Sequence, residues 1–468
     1  MDPRTAMSVE VVPIPGVHAD QFRATVQTAS ADTTVRPLDR LASPQTGRLL
    51  AFLLGLGTRQ QVNVIGYLPF AELALLLLLP FNFPRAFSAA NLRKTGWMVP
   101  LCFVWLASAI FTDVYRGTDW SLAARGIARA FVYCIAIPQI VWFFSTDGYR
   151  KAVWFAAGTV PSIILSQFIF RGGVIEGRER VYGRAIIDFE SHWSMVLGAA
   201  VILMLLLFYR RSQLLAHAIA WATGAFQIAN GSRSAGAVFL IGSVLCMLKR
   251  ATGGNFLSRD VILSAVRTAL AGLVLAGVSY GIYSLYTDAA ASGRLGDKAQ
   301  EKYLIQSSSR LGLLLGGREA FVSGIIAAFD SPFIGYGSWP LDNEGFYLRA
   351  CELSGRDPDP NFYRLGYPLI PTHSHVMCAW VENGIGGLFF WVYVILFYAR
   401  QILRPVIDEK RLGLYLAVAV LSLVWHILFS PMAGRIEQSV VIALVANDAC
   451  GLTLDAARRR VYALRRVA

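Results

Sequence analysis

From Arg48 onward, apolar runs follow one another along most of the chain, broken by short segments rich in Arg, Lys, Gly, Pro and Asp. A helix needs about 20 predominantly apolar residues to cross a bilayer, within a range of roughly 17–25. Twelve candidate spans emerge, at 48–58, 62–81, 96–112, 126–144, 152–170, 193–209, 213–230, 234–248, 261–284, 375–399, 412–430 and 436–453. The first is short and interrupted by Gly55 and Gly57, which suits a tilted or re-entrant piece. The pattern predicts an all-α, polytopic integral membrane protein of about twelve transmembrane helices, nine in residues 48–284 and three in residues 375–453. Residues 1–47 are polar, lack the apolar core of a signal peptide and read as a disordered cytoplasmic tail. Residues 454–468 read as a basic cytoplasmic tail.

One stretch departs from this rhythm. Residues 285–374 hold ten acidic and eight basic side chains, too balanced for a polybasic lipid anchor. Within it, the periodicity of Ala299–Phe329 predicts one or two helices at the membrane interface. Asp330-Ser331-Pro332 then breaks the helix, and Gly335-Tyr336-Gly337 makes a tight turn. Connections this long are uncommon unless they are functional. The active half of the protein is expected in this loop.

Composition agrees with the pattern and fixes its direction. Hydrophobic residues make up 55% of the chain and charged ones 16%, against about 25% charged in soluble domains. A soluble enzyme, a secreted disulfide scaffold and a disordered chain are excluded. The formal net charge is +13, which the enrichment of Lys and Arg in cytoplasmic loops explains without a nucleic-acid partner. Arg85, Arg93, Lys94, Arg150, Lys151, Arg210, Arg211, Lys249, Arg250, Arg400, Arg404, Lys410 and Arg411 all fall on one side when both termini are cytoplasmic. That leaves 285–374 outside, as one large periplasmic loop. Of the six cysteines only Cys351 lies in a long polar segment, and no pair has metal-ligand spacing.

Four outer-face groups carry candidate chemistry, because an ionisable side chain at a membrane boundary is costly unless it is used. Arg233 in Asn230-Gly231-Ser232-Arg233-Ser234 offers a guanidinium for bidentate capture of a phosphate; a snorkelling loop arginine is the plain alternative. Arg318 in Gly316-Gly317-Arg318-Glu319 lies eight residues after Arg310, so on a continuous helix both would face one ligand; an ordinary amphipathic surface helix is the alternative. His373 and His375 in Thr372-His373-Ser374-His375 stand at the mouth of a span, where an imidazole can take a hydroxyl proton. Glu382, seven residues after His375, shares its helical face and would orient or polarise an imidazole, or serve as a buried structural carboxylate. The fourth group, Arg171, Arg178, Arg180 and Arg184 followed by Glu190 and His192, fits either an anionic lipid-linked substrate or plain lipid headgroups. His217 and His426, within apolar spans, read as helix-packing residues. Phosphate-binding glycine loops with Lys-Ser/Thr, dinucleotide fingerprints and Gly-X-Ser-X-Gly elbows are absent from the sequence.

Three of these segments, in order, carry a likeness. They are Gly231-Ser232-Arg233-Ser234 ahead of an apolar span; Gly317-Arg318-Glu319-Ala320-Phe321 followed by Asp330-Ser331-Pro332-Phe333-Ile334-Gly335-Tyr336-Gly337; and His373-Ser374, then nine residues, then Gly384-Ile385-Gly386-Gly387. Over roughly residues 180–400 the chain resembles the bacterial O-antigen ligase and polysaccharide polymerase superfamily. Ser374 stands where many members have Asn, and His375 follows directly. The resemblance implies a glycosyltransferase-C-like membrane fold in the bacterial inner membrane. It implies a metal-independent, inverting glycosyltransferase without cofactor, working at the periplasmic face. The donor partner would be a glycan on undecaprenyl diphosphate, the acceptor a glycan or a lipid, and a chain-length regulator a further partner. By position, Arg233 and Arg318 would hold the diphosphate and His373 the acceptor hydroxyl, with His375 the alternative base.

Two questions stay open at this point. A polymerase and an O-antigen ligase transferring to lipid A-core differ in acceptor rather than chemistry; the idiosyncratic loop Leu341–Pro371 inclines the reading slightly to a polymerase of O-antigen or exopolysaccharide assembly. A polysaccharide transporter or flippase has similar hydropathy, but such folds commonly show related halves and midplane sites, and here the polar candidates gather at one face.

Overall fold

The computed structural model describes residues 44–63, 67–168, 189–209, 211–230, 232–251, 261–316, 318–358, 362, 368–403, 412–432 and 435–448. The chain divides into two units, Met1–Gly47 and Arg48–Ala468, and all the groups discussed below belong to the second. Most of the described chain is helical, and every candidate span of the sequence overlaps a helix. In chain order these are α1 (Pro44–Leu56), the hairpin β1 (Gln61–Asn63) and β2 (Tyr67–Pro69), α2 (Phe70–Ala86), α3 (Ala89–Thr95), α4 (Met98–Arg116), α5 (Trp120–Phe143) and α6 (Gly148–Phe168). They continue with α7 (Phe189–Phe208), α8 (Gln213–Ala229), α9 (Arg233–Ala251) and α10 (Val261–Ala291). The next segment carries α11 (Asp297–Ser307), α12 (Gly312–Leu315), α13 (Glu319–Asp330) and α14 (Phe346–Ser354). It is followed by α15 (His375–Leu403), α16 (Gly413–Phe429) and α17 (435–448).

By length and composition α4, α5, α10 and α15 can each cross a membrane, and α2 with α3 forms a fifth such unit bent by 101°. The described chain is mostly helical, with four or five apolar units able to span a membrane, consistent with an all-α membrane protein. Two sequence expectations change. The run 62–81 begins as an antiparallel hairpin, in which Val62 pairs with Leu68, and becomes helical only at Phe70. The run 261–284 continues as helix to Ala291, seven residues past the expected end of the span.

The main core joins α4, α5, α15, α16 and α17. Trp105, Tyr133, Phe390 and Trp391 lie at its centre, with ring centroids 5.0–5.9 Å apart. Elsewhere small residues set the approach: Gly224 of α8 and Gly236 of α9 face each other so closely that a Cβ on Gly236 would sit 2.4 Å from the Gly224 carbonyl oxygen. Lipid gives helices no hydrophobic drive to associate, so close backbone contact of this kind supplies much of the packing. It fixes the start of α9, where Arg233 stands.

α15 is broken. Gly384 takes φ +63° and ψ −154° inside an otherwise helical run, a left-handed conformation open to glycine. The freed backbone groups do not face lipid. Tyr336 N donates to Val381 O at 2.8 Å, Gly337 N to Glu382 O at 2.9 Å, and Ile385 N to Phe333 O at 3.3 Å. Irregular backbone at membrane depth is tolerated when protein covers it, and the 333–337 turn is that cover. α4 clamps the turn in place, as Thr112 Oγ1 donates to Ile334 O at 2.6 Å and Arg116 Nε to Gly335 O at 2.8 Å. Gly335 is required here, since a Cβ would lie 2.6 Å from Gly384 N.

Candidate functional site

The last turn of α16 is the hub. Trp425 and Phe429, four residues apart, present their rings on one helical face. Ser374 Oγ donates to Ile427 O at 3.0 Å, which fastens the segment carrying His373 to this turn. Arg318 lies over both rings, its guanidinium 4.9 Å from Trp425 and 4.4 Å from Phe429. Phe321, one turn into α13, adds a ring contact to Phe429 at 5.4 Å.

Arg233 opens α9. Its Nη2 donates to Gln306 Oε1 at 2.9 Å, and its guanidinium stands over Tyr286 at 4.8 Å. Gly316 packs against the same Gln306, where a Cβ would be 2.2 Å from the carbonyl oxygen, so the chain that leads to Arg318 rests on the residue that holds Arg233. The two cations feel each other: burial lowers the Arg318 pKa first, and the charge of Arg233 lowers it further.

The partners of these arginines set them apart. Arg129 is paired with Glu382 at 3.0 Å, Arg435 with Glu72 at 2.6 Å, Arg356 with Glu319 at 2.8 Å and Arg48 with Asp147 at 3.0 Å. Among the described residues, Arg233 and Arg318 meet no carboxylate; they rest on aromatic faces and one neutral amide. Cation–π contacts contribute roughly 0.5–2 kcal/mol each and leave the charge uncancelled. Two half-buried like charges repel, and a nearby anion would relieve that repulsion.

His373 is exposed and has φ +37°. A non-glycine residue in this region carries roughly 1–3 kcal/mol of strain and persists only where its surroundings hold it. Ser374, tied to Ile427, holds it from one side; Thr372, packed 3.3 Å from where a Gly324 Cβ would be, holds it from the other. Part of the ring meets solvent while the adjoining protein desolvates the rest, and this burial lowers its pKa from the ordinary value. The imidazole is therefore neutral near pH 7 and able to accept a proton.

His375 is differently placed. It is buried among the core rings, 5.0 Å from Trp391. Its Nε2 lies 3.0 Å from Pro431 O, which can only accept, so Nε2 carries the proton. Nδ1 then accepts from Gln438 Nε2 at 3.4 Å, and Gln438 Oε1 accepts from Tyr133 OH at 2.7 Å. Both ring nitrogens are engaged inside the bundle.

Glu382 also has a settled partner. Arg129 Nη1 donates to it at 3.0 Å and to Cys378 Sγ at 3.1 Å, and each side chain of the ion pair is only 8% exposed. Sequence reading missed Arg129. Its signal was there: an arginine inside the apolar run 126–144 is costly unless paired.

Arg310 is corrected by the fold. The segment Arg310–Arg318 is not one helix: α11 ends at Ser307, α12 is a single turn, and Arg318 caps α13. Spacing by eight therefore does not align the two side chains. Arg310 instead lies along Gly355 at the end of α14, and its N donates to Ser354 O at 2.9 Å. Arg171, Arg178, Arg180 and Arg184 lie outside the described residues. His217 is a packing residue, 2.7 Å from Ser243 Oγ, whereas His426 is exposed at the end of α16 with Nδ1 2.8 Å from Ser430 Oγ. Among the described residues no three His, Cys, Asp or Glu gather as a metal would require.

No protein-family model matches this chain, and neither does any curated protein sequence.

Proposed function

We propose that the protein is a membrane glycosyltransferase that moves a glycan from undecaprenyl diphosphate to an acceptor hydroxyl. The observation that carries this reading is a pair of electrostatically coupled arginines that meet no carboxylate among the described residues, with Arg318 resting on the same last turn of α16 to which the segment of the exposed, strained His373 is fastened. Arg233 and Arg318 hold the diphosphate. His373 takes the proton of the acceptor hydroxyl as its oxygen attacks the anomeric carbon from the face opposite the leaving group. The bond from that carbon to the diphosphate oxygen breaks, its electron pair stays on the diphosphate, and the two guanidinium groups stabilise the charge that develops. The imidazolium then returns its proton to water. Arg310, Glu382 and His375 are left to structural roles.

The wider setting belongs to the same reading. About twelve crossings of the inner membrane, both termini in the cytoplasm and a periplasmic site for 285–374 follow from the basic loops. The polar groups of the site gather at one end of the helices, which favours surface chemistry over passage through a midplane site. Polymerase is the preferred form and O-antigen ligase the alternative.

The test is a reconstitution in liposomes with an undecaprenyl-diphosphate-linked repeat unit. Wild type releases undecaprenyl diphosphate as chains lengthen; Arg318→Ala and Arg233→Ala each lower the rate by roughly 100-fold or more, as expected for losing one preorganised donor. Chains growing on the carrier lipid identify a polymerase, and growth only with lipid A-core present identifies a ligase. No release of carrier, or full activity in both arginine variants, overturns the proposal.

A further inference from the structure

The left-handed region holds three non-glycine residues among those described: Asp147, Trp339 and His373. Trp339, at φ +58°, has no part in the chemistry above. Bulky residues adopt this conformation only under outside constraint, and the constraint here is complete on both flanks. Before it, Ser338 is fixed to Asp113 of α4, with Ser338 N to Oδ1 at 2.6 Å and Oγ to Oδ2 at 2.7 Å. After it, Ile370 N donates to Pro340 O at 2.9 Å and Asp342 N to Pro368 O at 2.8 Å. That second clamp ties the Trp339 segment to the strand of chain that reaches His373 three residues later.

What the clamps display is an aromatic platform. Arg129 lies 5.2 Å from the ring centroid and supports one face, and Arg129 is itself locked to Glu382. The residue remains 38% exposed. Its indole N–H has no hydrogen-bond acceptor among the described residues. The more exposed Trp97, Trp120, Trp154 and Trp221 stand on or beside apolar helices, as expected of interface anchors. Trp339 stands on the outer loop.

We propose that Trp339 is a binding platform for a sugar ring of the glycan, held on a segment clamped to the chain that leads into His373. A pyranose turns a patch of polarised C–H bonds toward one side, which suits the electron-rich face of an indole, while its hydroxyls can accept from Nε1–H. This rests on the glycosyltransferase reading, and it assigns Trp339 to positioning rather than to proton transfer. The competing structural role is a roof over the Arg129–Glu382 pair.

Three variants separate these roles. Trp339→Leu keeps an apolar roof without an aromatic face, Trp339→Phe keeps a face without the N–H, and Trp339→Gly deletes the ring and relieves the backbone strain. Each is purified in detergent, its thermal midpoint measured, and its KM and kcat for acceptor determined in the liposome assay. The expected result is unchanged folding in Leu and Phe, KM raised roughly tenfold in Leu and roughly threefold in Phe with kcat little changed, and loss of saturation in Gly without loss of Tm. A second readout needs no turnover: the source cell's surface polysaccharide, cut to short oligosaccharides by partial acid hydrolysis, quenches tryptophan fluorescence in wild type and in Arg318→Ala but not in Trp339→Phe. Wild-type kinetics in Trp339→Leu, or identical quenching in Trp339→Phe, overturns the platform while leaving the transferase standing. Quenching that depends on Trp339 without any carrier release overturns the transferase and leaves the platform.

Discussion

At the scale of single residues, the contrast between His373 and His375 shows how two identical side chains two positions apart acquire different roles. His375 spends both nitrogens on Pro431 O and Gln438 inside the core. His373 is exposed, strained and lowered in pKa by burial. A lowered pKa keeps the base form populated at pH values where a free imidazole, with its pKa of about 6.5, would be protonated. The acid limb of the kcat/KM profile should therefore have its midpoint below pH 6.5, and His373→Ala should lose the rate and the limb together. A pH–rate series reaching down to about pH 4.5 checks this, and a limb centred at or above 6.5 removes His373 from the role. Which residues could matter was readable in the sequence, because chemistry resides in residue type. Their pairing was not: that Glu382 is spent on Arg129, and that Arg233 rests on the neutral amide of Gln306, depends on contacts across 253 and 73 positions respectively.

At the scale of elements, each apolar run of the sequence overlaps a helix, but periodicity could not see where one breaks. Gly384-Ile385-Gly386-Gly387 reads as a glycine-rich patch of a continuous span, and only the turn at 333–337 explains it. For the same reason, Arg310 and Arg318 were expected on one face of a continuous helix, whereas α11 ends at Ser307, before Arg310, and only the single turn α12 lies between the two. The break supports a prediction opposite to helix propensity. In a regular helix Gly→Ala stabilises by about 0.5–1 kcal/mol. At Gly384 the φ of +63° adds roughly 1–3 kcal/mol of strain for alanine, and a Cβ would lie 2.1 Å from Phe333 O. Strain and clash together exceed the gain, so Gly384→Ala should destabilise by about 2 kcal/mol or more. Thermal unfolding in detergent measures it, alongside protease cleavage near Pro332, which should accelerate as the turn undocks. A variant as stable as wild type, with an intact turn, would show that the break is dispensable.

For the whole molecule, the helical, apolar character was legible in composition, since it is a sum over many residues. The docking of the 297–374 segment against α15 and α16 was not, because it rests on a few hydrogen bonds between distant turns. Orientation is directly measurable. Glu344 is exposed between α13 and α14, and the Arg150 side chain is 62% exposed at the start of α6. In intact cells, Glu344→Cys should react with a membrane-impermeant maleimide, while Arg150→Cys should react only after permeabilisation. The reverse pattern would place the site on the cytoplasmic side.

The docked turn also bears on how the protein is made. α15 leaves the hydrogen bonds around Gly384 to be completed by residues 333–337, and these emerge from the ribosome before α15 itself. α4, which clamps them, emerges earlier still. Synthesis thus delivers the mould before the piece that must be cast in it: the turn can settle on α4, and α15 then docks against a waiting surface. A circular permutant that places 375–403 ahead of 331–338 would send the broken helix into lipid with its open carbonyls bare.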